Sequence, residues 1–561
     1  MKHPVLFLTF GILLLIPAFI VATANDIKPI PEHMKAGLES IKPNDSYSYL
    51  EFIAADELEG RDTATRGFTI ARNYIKSLYK TWGIEPAGDK KDDARQFEQR
   101  IDMVEVAIGE ETYMEVEAGP SALTFLWGTD FSGGMGVDVA GVIDARAVFA
   151  GYGLTATDLN YDDFAGIDLE NKIVVTSFGK PGGDREDSPF NAPEHRARFA
   201  GRYTPAEKCA RLVAAKGALA LLIVDENVGR VSNAGGYRQD SRISSSRRTV
   251  VAPKLSDAIP RVPAFWASPA IADALFSQSG TTFEAVKNLI DKDLKPHSMD
   301  LPDAKVKLYL DVSRENTMSA NLLGMVEGSD PKLKNEFVII GAHLDHIGVN
   351  NDGYVFNGAD DNGSGSVGVL QIAKALALNP VKPKRTILFA HWTGEEQGLV
   401  GSRYFVEYPT FPLSNIVACL NLDMICKDTP LSAIKEQIGD FETTEEELSS
   451  SYPDEPEKLF SAYTSSPSPI MEEYSVNLAR DYFDLIAVPL SSYPVLGNSD
   501  HYPFAMRKVP SVFFNTEGHR DLHQPGDTVD KINKYKMAKL VKLTYLMAFT
   551  IADTEKRPEW K

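Results

Sequence analysis

The C-terminal half of the chain places two histidines and four acidic residues shortly after predicted strands. They are His343, Asp361, Glu395, Glu396, Asp423 and His523, and all of them except Glu395 are candidate metal ligands. Imidazole and carboxylate ligands without a thiolate suit zinc, with cobalt or manganese as alternatives. A single catalytic zinc takes three protein ligands, so five ligands with one shared carboxylate better suit two ions about 3.5–4 Å apart. The wide spacing by itself leaves open the alternative that these are buried acids that bind no metal.

Short apolar segments without polar alternation precede these residues, as expected for buried parallel strands. The segments are Phe337–Ile340 before His343, Ile387–Ala390 before Glu395 and Glu396, Asn415–Leu422 before Asp423, and Val509–Phe514 before the loop with His523. Between the first two, apolar residues at helical spacing predict a helix that Asn379 and Pro380 end. Open α/β sheets bind ligands at the carboxyl edge of their strands. The pattern therefore predicts a metal site at that edge.

The composition is that of a globular protein. The 561 residues are 43% hydrophobic and 24% charged, which are ordinary values, and the length suggests two or three domains. The formal net charge of -20 disfavours a nucleic-acid partner, because phosphates would be repelled. Three cysteines, Cys209, Cys419 and Cys426, are too few for a disulfide framework.

The N-terminus resembles a secretory signal. A basic start is followed by the apolar run Val5–Val21 and by the small residues Ala22-Thr23-Ala24, a typical cleavage site. We expect cleavage after residue 24, a secreted or periplasmic protein and no membrane anchor in the mature chain. The alternative is an uncleaved anchor, because the run approaches spanning length.

Between about residues 123 and 311 the sequence changes to short strands with many glycines and turns, and no group of His, Asp and Glu has ligand-like spacing. We interpret this stretch as a non-catalytic insertion. The predicted division is therefore a signal peptide at 1–24, a first part of the main α/β domain at 25–122, the insertion at 123–311, and the metal-binding domain at 312–561.

Six ordered motifs resemble metallopeptidase family 28, which includes bacterial zinc aminopeptidases and glutamate carboxypeptidase II. They are His343-Leu344-Asp345, Gly358-Ala359-Asp360-Asp361-Asn362-Gly363-Ser364-Gly365, Gly394-Glu395-Glu396-Gln397-Gly398-Leu399, Asn421-Leu422-Asp423-Met424, Ser499-Asp500-His501-Tyr502-Pro503-Phe504 and His523-Gln524-Pro525-Gly526-Asp527-Thr528. Asp56 to Arg61 resembles the N-terminal signature of the family, although alone it reads as a solvated helix end. The insertion resembles a protease-associated (PA) domain. The resemblance implies an α/β fold with a mixed, mostly parallel sheet flanked by helices, as in zinc exopeptidases, and a β-rich PA insertion.

The resemblance also implies a role for each site residue. His343 and Asp423 would hold one zinc, Glu396 and His523 the other, and Asp361 would bridge two ions per chain. Asp345 would orient His343, and Glu395 would act as general base. In this family the Asp361-Asn362 peptide bond is often cis.

One position departs from the family pattern. Many relatives have a Tyr before the last His ligand that helps to stabilise the oxyanion, and this chain has Leu522. His501 is our candidate for that catalytic role, with Tyr502 or a nearby Arg as substitutes. Among the other histidines, we interpret His346 as a supporting or loop residue and His391 as a core histidine. His519 reads equally as a site-lining or a surface-loop residue.

The sequence thus predicts a di-zinc exopeptidase that acts on peptides, with an aminopeptidase preferred over a carboxypeptidase. A carboxypeptidase would need a cationic pocket, which Arg507 and Arg520 could build. Two further classes are a glutaminyl cyclase-like enzyme with one zinc and a non-catalytic binding protein on the same scaffold. The cyclase would not normally carry a PA-like insertion, and a non-catalytic protein would have lost metal ligands, none of which is missing from the sequence.

Overall fold

A computed structural model describes residues 27–561 except 136–139, 184, 186, 193–194, 196–198, 200–202, 227, 229–247, 256–261, 351–352, 438–444, 466 and 493–497. The predicted signal peptide lies outside the described residues. None of the described helices is both long and apolar enough to cross a membrane.

The larger of two main sheets has four parallel strands at its centre. Across the sheet its strands lie in the order Arg248–Val251, Glu98–Ile108, Val312–Val326, Thr386–Trp392, Phe337–His343, Ile416–Leu422, Ser511–Asn515, Leu459–Ser465 and Ile486–Ser492, with Glu85–Pro86 paired to Val312–Val326. The parallel centre runs from Thr386–Trp392 to Ser511–Asn515. The flanking strands pair antiparallel with it. The predicted mixed α/β sheet is therefore confirmed.

Both faces of this sheet are covered, which explains why its central strands are apolar at every position. Val338 and Ile340 face one core, and Phe337 and Ile339 face the other. The first core is closed by the helices Glu32–Ser40, Pro43–Ile53, Arg66–Thr81, Gly365–Leu378, Pro469–Phe483 and Lys534–Asp553. The second is closed by the helices Val400–Glu407 and His501–Met506.

A second sheet of eight strands lies mainly in the middle of the chain. Its strands follow the order Ser121–Leu126, Tyr113–Ala118, Met299–Leu310, Gly141–Phe149, Ile173–Ser177, Ala220–Val224, Ala264–Ala267 and Phe131–Met135. The helices Tyr203–Ala215, Pro269–Phe276 and Phe283–Asp293 belong to the same stretch. This sheet has its own apolar clusters on both faces.

Two strands belong to a different sheet from the one that the predicted domain division gives them. Tyr113–Ala118, before residue 123, belongs to the second sheet. Arg248–Val251, inside the predicted insertion, pairs with Glu98–Ile108 of the larger sheet. The acidic stretch 427–458 contains the short helices Leu431–Gln437 and Glu445–Ser451.

Candidate metal centre

The ends of the central strands bring the predicted ligands to one edge of the larger sheet. His343 is the last residue of its strand, and Asp423 directly follows the strand Ile416–Leu422. Glu395 and Glu396 come shortly after Thr386–Trp392. Because parallel neighbours end at the same edge, residues far apart in sequence meet there.

Asp361 reaches this edge from the turn before the helix Gly365–Leu378. Its peptide bond to Asn362 is cis, as the family resemblance predicts. The backbone N–H groups of Asp360 and Asp361 both donate to Oδ2 of Asp527, at 2.9 and 3.0 Å. Asn362 donates from its amide nitrogen to the carbonyl oxygen of Leu422. These hydrogen bonds attach the turn to Asp527 on one side and to Leu422 on the other. They therefore hold the Asp361 carboxylate in place.

Among the residues that the structure describes, potential ligand atoms form two groups that share Asp361. One group contains His343, Asp361 and Asp423, and the other contains His346, Asp361, Glu396 and His523. In the first, Nε2 of His343 lies 3.3 Å from Oδ1 of Asp361 and 3.3 Å from Oδ1 of Asp423. The structure thus brings all five sequence-predicted ligands together.

The second group is equally tight. Nε2 of His523 lies 2.9 Å from Oδ2 of Asp361 and 3.1 Å from Oε1 of Glu396. Burial alone would lower the pKa of His523, but Glu396 and Asp361 raise it to about 10. The carboxylates of Asp361, Glu396 and Asp423 thus lie close to imidazole nitrogens in a buried part of the protein. Imidazole and carboxylate donors of this kind fit zinc.

Glu395 lies beside the first group without belonging to either. Its Oε2 is 3.9 Å from Nε2 of His343, and 13% of its side chain is exposed. Burial, with the charges of Glu396, Asp500 and Asp423, raises its pKa well above the ordinary value, against the opposing effect of His343. Cations in the two ligand groups would offset this effect and favour the ionised carboxylate.

Asp345 supports the site differently from what the resemblance implies. Nδ1 of His343 lies 3.1 Å from the carbonyl oxygen of Asp345, so the backbone of Asp345 and not its carboxylate orients that ring. The carboxylate instead accepts from the backbone N–H groups of Glu395 and Glu396, at 3.1 and 3.3 Å. It also accepts from the hydroxyl of Thr63. Asp345 therefore positions both neighbouring glutamates through their backbone.

The N-terminal signature has a buried function that sequence reasoning misses. The Arg61 guanidinium is fully buried and donates to four backbone carbonyl oxygens, those of Ile53, Leu344, Asn357 and Gly358. These carbonyls belong to three segments, two of which flank the ligand-bearing residues. The acidic neighbours of Arg61 hide this role, because the cluster reads as solvated in the sequence.

The structure places three other histidines, His391, His519 and His346, in different environments. His391 is buried and its Nε2 lies 2.8 Å from the Tyr79 hydroxyl, which confirms a core histidine. Nε2 of His519 lies 3.2 Å from Oδ2 of Asp360, the residue that precedes the shared Asp361 in the sequence. The sequence does not predict His346 as a ligand, yet its Nδ1 lies 3.0 Å from Oε1 of Glu396.

His501 is 0% exposed, and its ring stacks on Phe513 with centroids 4.9 Å apart. An oxyanion donor needs a face open to the substrate, so the structure gives this predicted role no support. Arg507 pairs with Glu407 on the surface.

Comparisons with known proteins agree with this architecture. Residues 321–548 match the profile of peptidase family M28. This segment of the chain is therefore similar to peptidase family M28. The matched segment contains all the residues of both ligand groups and Glu395.

Similar proteins cover different shares of the chain. A probable leucine aminopeptidase 2 of Aspergillus oryzae is 32% identical over 216 residues, which are 38% of this chain and 37% of that protein. Leucine aminopeptidase 2 of Trichophyton rubrum is 29% identical over 243 residues, 39% of this chain and 42% of that protein. The matched stretches thus span about two fifths of these curated relatives.

The likeness of fold extends further than the likeness of sequence. The structure of an aminopeptidase from Aneurinibacillus sp. strain AM-1 superposes with a TM-score of 0.55 at 17% identity and covers 93% of this chain and 97% of that chain. The shared fold is therefore not confined to the M28 segment.

Proposed function

We propose that this protein is a secreted or periplasmic di-zinc exopeptidase that releases N-terminal residues from peptides. The observation that carries the proposal is the sharing of Asp361 by two ligand groups, with the Glu395 carboxylate beside them. The M28 match and the names of the relatives, leucine aminopeptidases, support an aminopeptidase.

The residues present suit peptide hydrolysis. His343, Asp361 and Asp423 would hold one zinc, and Asp361, Glu396 and His523 the other. Bound zinc supplies Lewis acidity, which acidifies water and polarises a carbonyl. Glu395 would accept the proton of the attacking water and return it to the leaving amine. Asp345, through the backbone of Glu395, keeps that carboxylate directed toward the site.

A cationic cavity favours a carboxypeptidase as the second candidate. It has a volume of about 590 Å³ and is lined by Lys427, Arg520, Lys531 and Lys534 together with Asp428 and Asp521. A substrate carboxylate could bind these cations. His519, which contacts Asp360, lines the same cavity.

Peptides with blocked ends separate the two candidates. The zinc-loaded protein is offered a free peptide, its N-acetylated form and its C-terminally amidated form, with a chelated sample as control. We expect cleavage of the free and the amidated peptides, and none of the acetylated one. Cleavage of the acetylated but not the amidated peptide would establish the carboxypeptidase instead.

The two adjacent glutamates provide a matched pair for the mechanism. Glu395→Gln should keep both zinc ions and lose about 10²–10⁴-fold in turnover, the range for a lost general base. Glu396→Gln should lose zinc as well as activity. Zinc content by mass spectrometry and kcat with a leucine p-nitroanilide check both. Near-normal kcat in Glu395→Gln would remove it from this role.

The proposal includes two features of the chain outside the metal centre. A signal peptide at 1–24 would direct the protein out of the cytoplasm and then be removed, and N-terminal sequencing of the exported protein tests the cleavage. The second sheet would be the predicted PA insertion, separate from the chemistry. An intact N-terminus in the exported protein would contradict cleavage.

A further inference from the structure

His346 lies in the ligand group of Glu396 and His523, although the sequence motif suggests only a supporting role. Its Nδ1 is 3.0 Å from Oε1 of Glu396 and 3.8 Å from Oδ2 of Asp361. Nε2 of His523 lies 3.1 and 2.9 Å from the same two oxygens. Two imidazole nitrogens therefore approach the same pair of carboxylate oxygens, and the centroids of their rings lie 5.7 Å apart.

These four separations lie on either side of the edge length of a tetrahedron around one ion, which has six edges. Zinc binds imidazole nitrogen and carboxylate oxygen at about 2.0–2.2 Å, and the ligands of a regular tetrahedron of that size lie about 3.3–3.6 Å apart. The four measured separations run from 2.9 to 3.8 Å. The group thus has the number, type and spacing of donors for a site that the protein fills completely.

The surrounding chain makes room for this ring. A Cβ atom at Gly358, which has a φ of +56°, would lie 2.6 Å from Cγ and Cδ2 of His346. The backbone N–H of His346 donates to the carbonyl oxygen of Arg61, whose side chain in turn holds the Gly358 carbonyl. The ring is 0% exposed. Its position is therefore built into the turn and not left to a mobile side chain.

We propose that His346 is a fourth protein ligand and makes the two ions unequal. The ion between His346, Asp361, Glu396 and His523 would be enclosed by protein donors, as in structural zinc sites. The ion between His343, Asp361 and Asp423 would keep an open position beside Glu395, as in catalytic sites. This inference rests on the di-zinc centre of the proposed function, and it predicts one tightly held ion and one that exchanges readily.

The competing explanation is that Nδ1–H of His346 donates a hydrogen bond to Glu396 and only orients it. Asn separates the two roles, because its amide nitrogen takes the place of Nδ1 and still donates, but it is a poor zinc ligand. Loss of an outer hydrogen-bond partner lowers metal affinity about 10–100-fold. A larger loss in His346→Asn therefore identifies a ligand.

Competition with a chelator measures the affinity of each ion. In the unmodified chain we expect two separate steps, and in His346→Asn a loss of more than about 100-fold for the tighter ion. His519→Asn is the matched control, since that ring contacts Asp360 and neither ligand group, and its loss should stay below about 100-fold. A tighter ion that His346→Asn weakens by less than this factor would overturn the proposal.

X-ray absorption at one zinc per chain supplies a second readout. Imidazole rings give characteristic outer-shell scattering, so two rings are expected in the unmodified protein and one in His346→Asn. One ring in both proteins would also overturn the proposal. Failure of the unmodified chain to bind any zinc would instead reject the proposed function, so the two failures are distinguishable.

Discussion

The buried guanidinium of Arg61 connects three segments around the site by binding backbone carbonyl oxygens and not side chains. Its donor–acceptor distances to the four carbonyl oxygens lie between 2.6 and 2.9 Å. Burial lowers the pKa of Arg61 to about 10, so it stays charged at neutral pH. The guanidinium is the one side chain with donors in several fixed directions, which suits carbonyls from three segments.

Arg61→Met should therefore be strongly destabilising. It leaves four buried carbonyl groups without this donor, each at a cost of about 1–3 kcal/mol, so we expect a loss of about 4 kcal/mol or more in the free energy of unfolding. Arg61→Lys, which keeps the charge and three donors, should lose clearly less. Urea unfolding at fixed zinc concentration measures both. Equal losses in the two variants would contradict this role.

At the scale of residues, the sequence predicts chemistry that depends on side-chain type and misses chemistry that depends on backbone partners. The five ligands can be found because His and acidic residues follow apolar strands. The roles of Arg61, Thr63 and the Asp345 carboxylate cannot, because their partners are backbone groups or residues distant in sequence. The contribution of His346 is also hidden, since its distance to Glu396 depends on how two loops fold.

The helix Gly365–Leu378 is the element that fixes the site to the sheet. It begins directly after the Asp361 turn and packs against the strand that ends before Asp423. A Cβ atom at Gly365 would lie 2.3 Å from the carbonyl oxygen of Leu422 and 2.2 Å from Oδ1 of Asn362. Only glycine allows this close approach of helix and strand.

Two glycines of this helix give a matched test. Gly365→Ala must displace backbone, and we expect a loss of about 3 kcal/mol in the free energy of unfolding together with lower zinc content. At Gly368 the nearest atoms to the added methyl would be three side-chain ends, at 2.9, 3.2 and 3.3 Å. The higher helix propensity of Ala, about 1 kcal/mol, should offset most of that cost. Comparable losses for the two variants would show that the helix can shift freely.

At the scale of elements, the central strands and the helix between them are predictable because both faces of the sheet are buried. The continuous apolar runs follow from that burial. The strands Leu459–Ser465 and Ile486–Ser492 escape prediction, since serines and threonines interrupt their pattern although both strands belong to the larger sheet. Their hydroxyl groups form contacts within the sheet, such as the one between Thr464 and Ser491.

At the scale of the whole molecule, the stretch of chain that contains the second sheet contributes its own pH dependence to stability. Burial raises the pKa of Asp163 to about 7, with a further contribution from Asp162. Three donors oppose this shift, namely the backbone N–H groups of Tyr152 and Leu154 and the hydroxyl of Tyr161. The folded chain thus binds a proton that the unfolded chain has released by about pH 4. The contribution of Asp163 to stability therefore falls as pH rises from about 4 to 7.

Asp163→Asn should remove this contribution. Thermal unfolding of both proteins between about pH 5 and 8 gives the difference in Tm, and the metal centre, common to both, cancels. Relative to the variant, the unmodified chain should lose stability up to about pH 7 and then level off. A difference in Tm that does not change with pH would contradict the raised pKa.

A separate region of short strands in the middle of the chain can be predicted from its many glycines and turns, but the residues at which that region begins and ends cannot. Tyr113–Ala118 and Arg248–Val251 belong to sheets that their position in the chain does not indicate. Pairing partners are decided by tertiary contacts, and a strand as short as Arg248–Val251 carries too little pattern to reveal its sheet.

The number of zinc ions per chain tests the central claim most directly. Mass spectrometry of the protein after equilibration with zinc and removal of excess should give two ions per chain, and Asp361→Ala should retain fewer than one, because both ligand groups lose their common carboxylate. One ion in the unmodified chain, or two in Asp361→Ala, would contradict a centre in which Asp361 bridges a pair of ions.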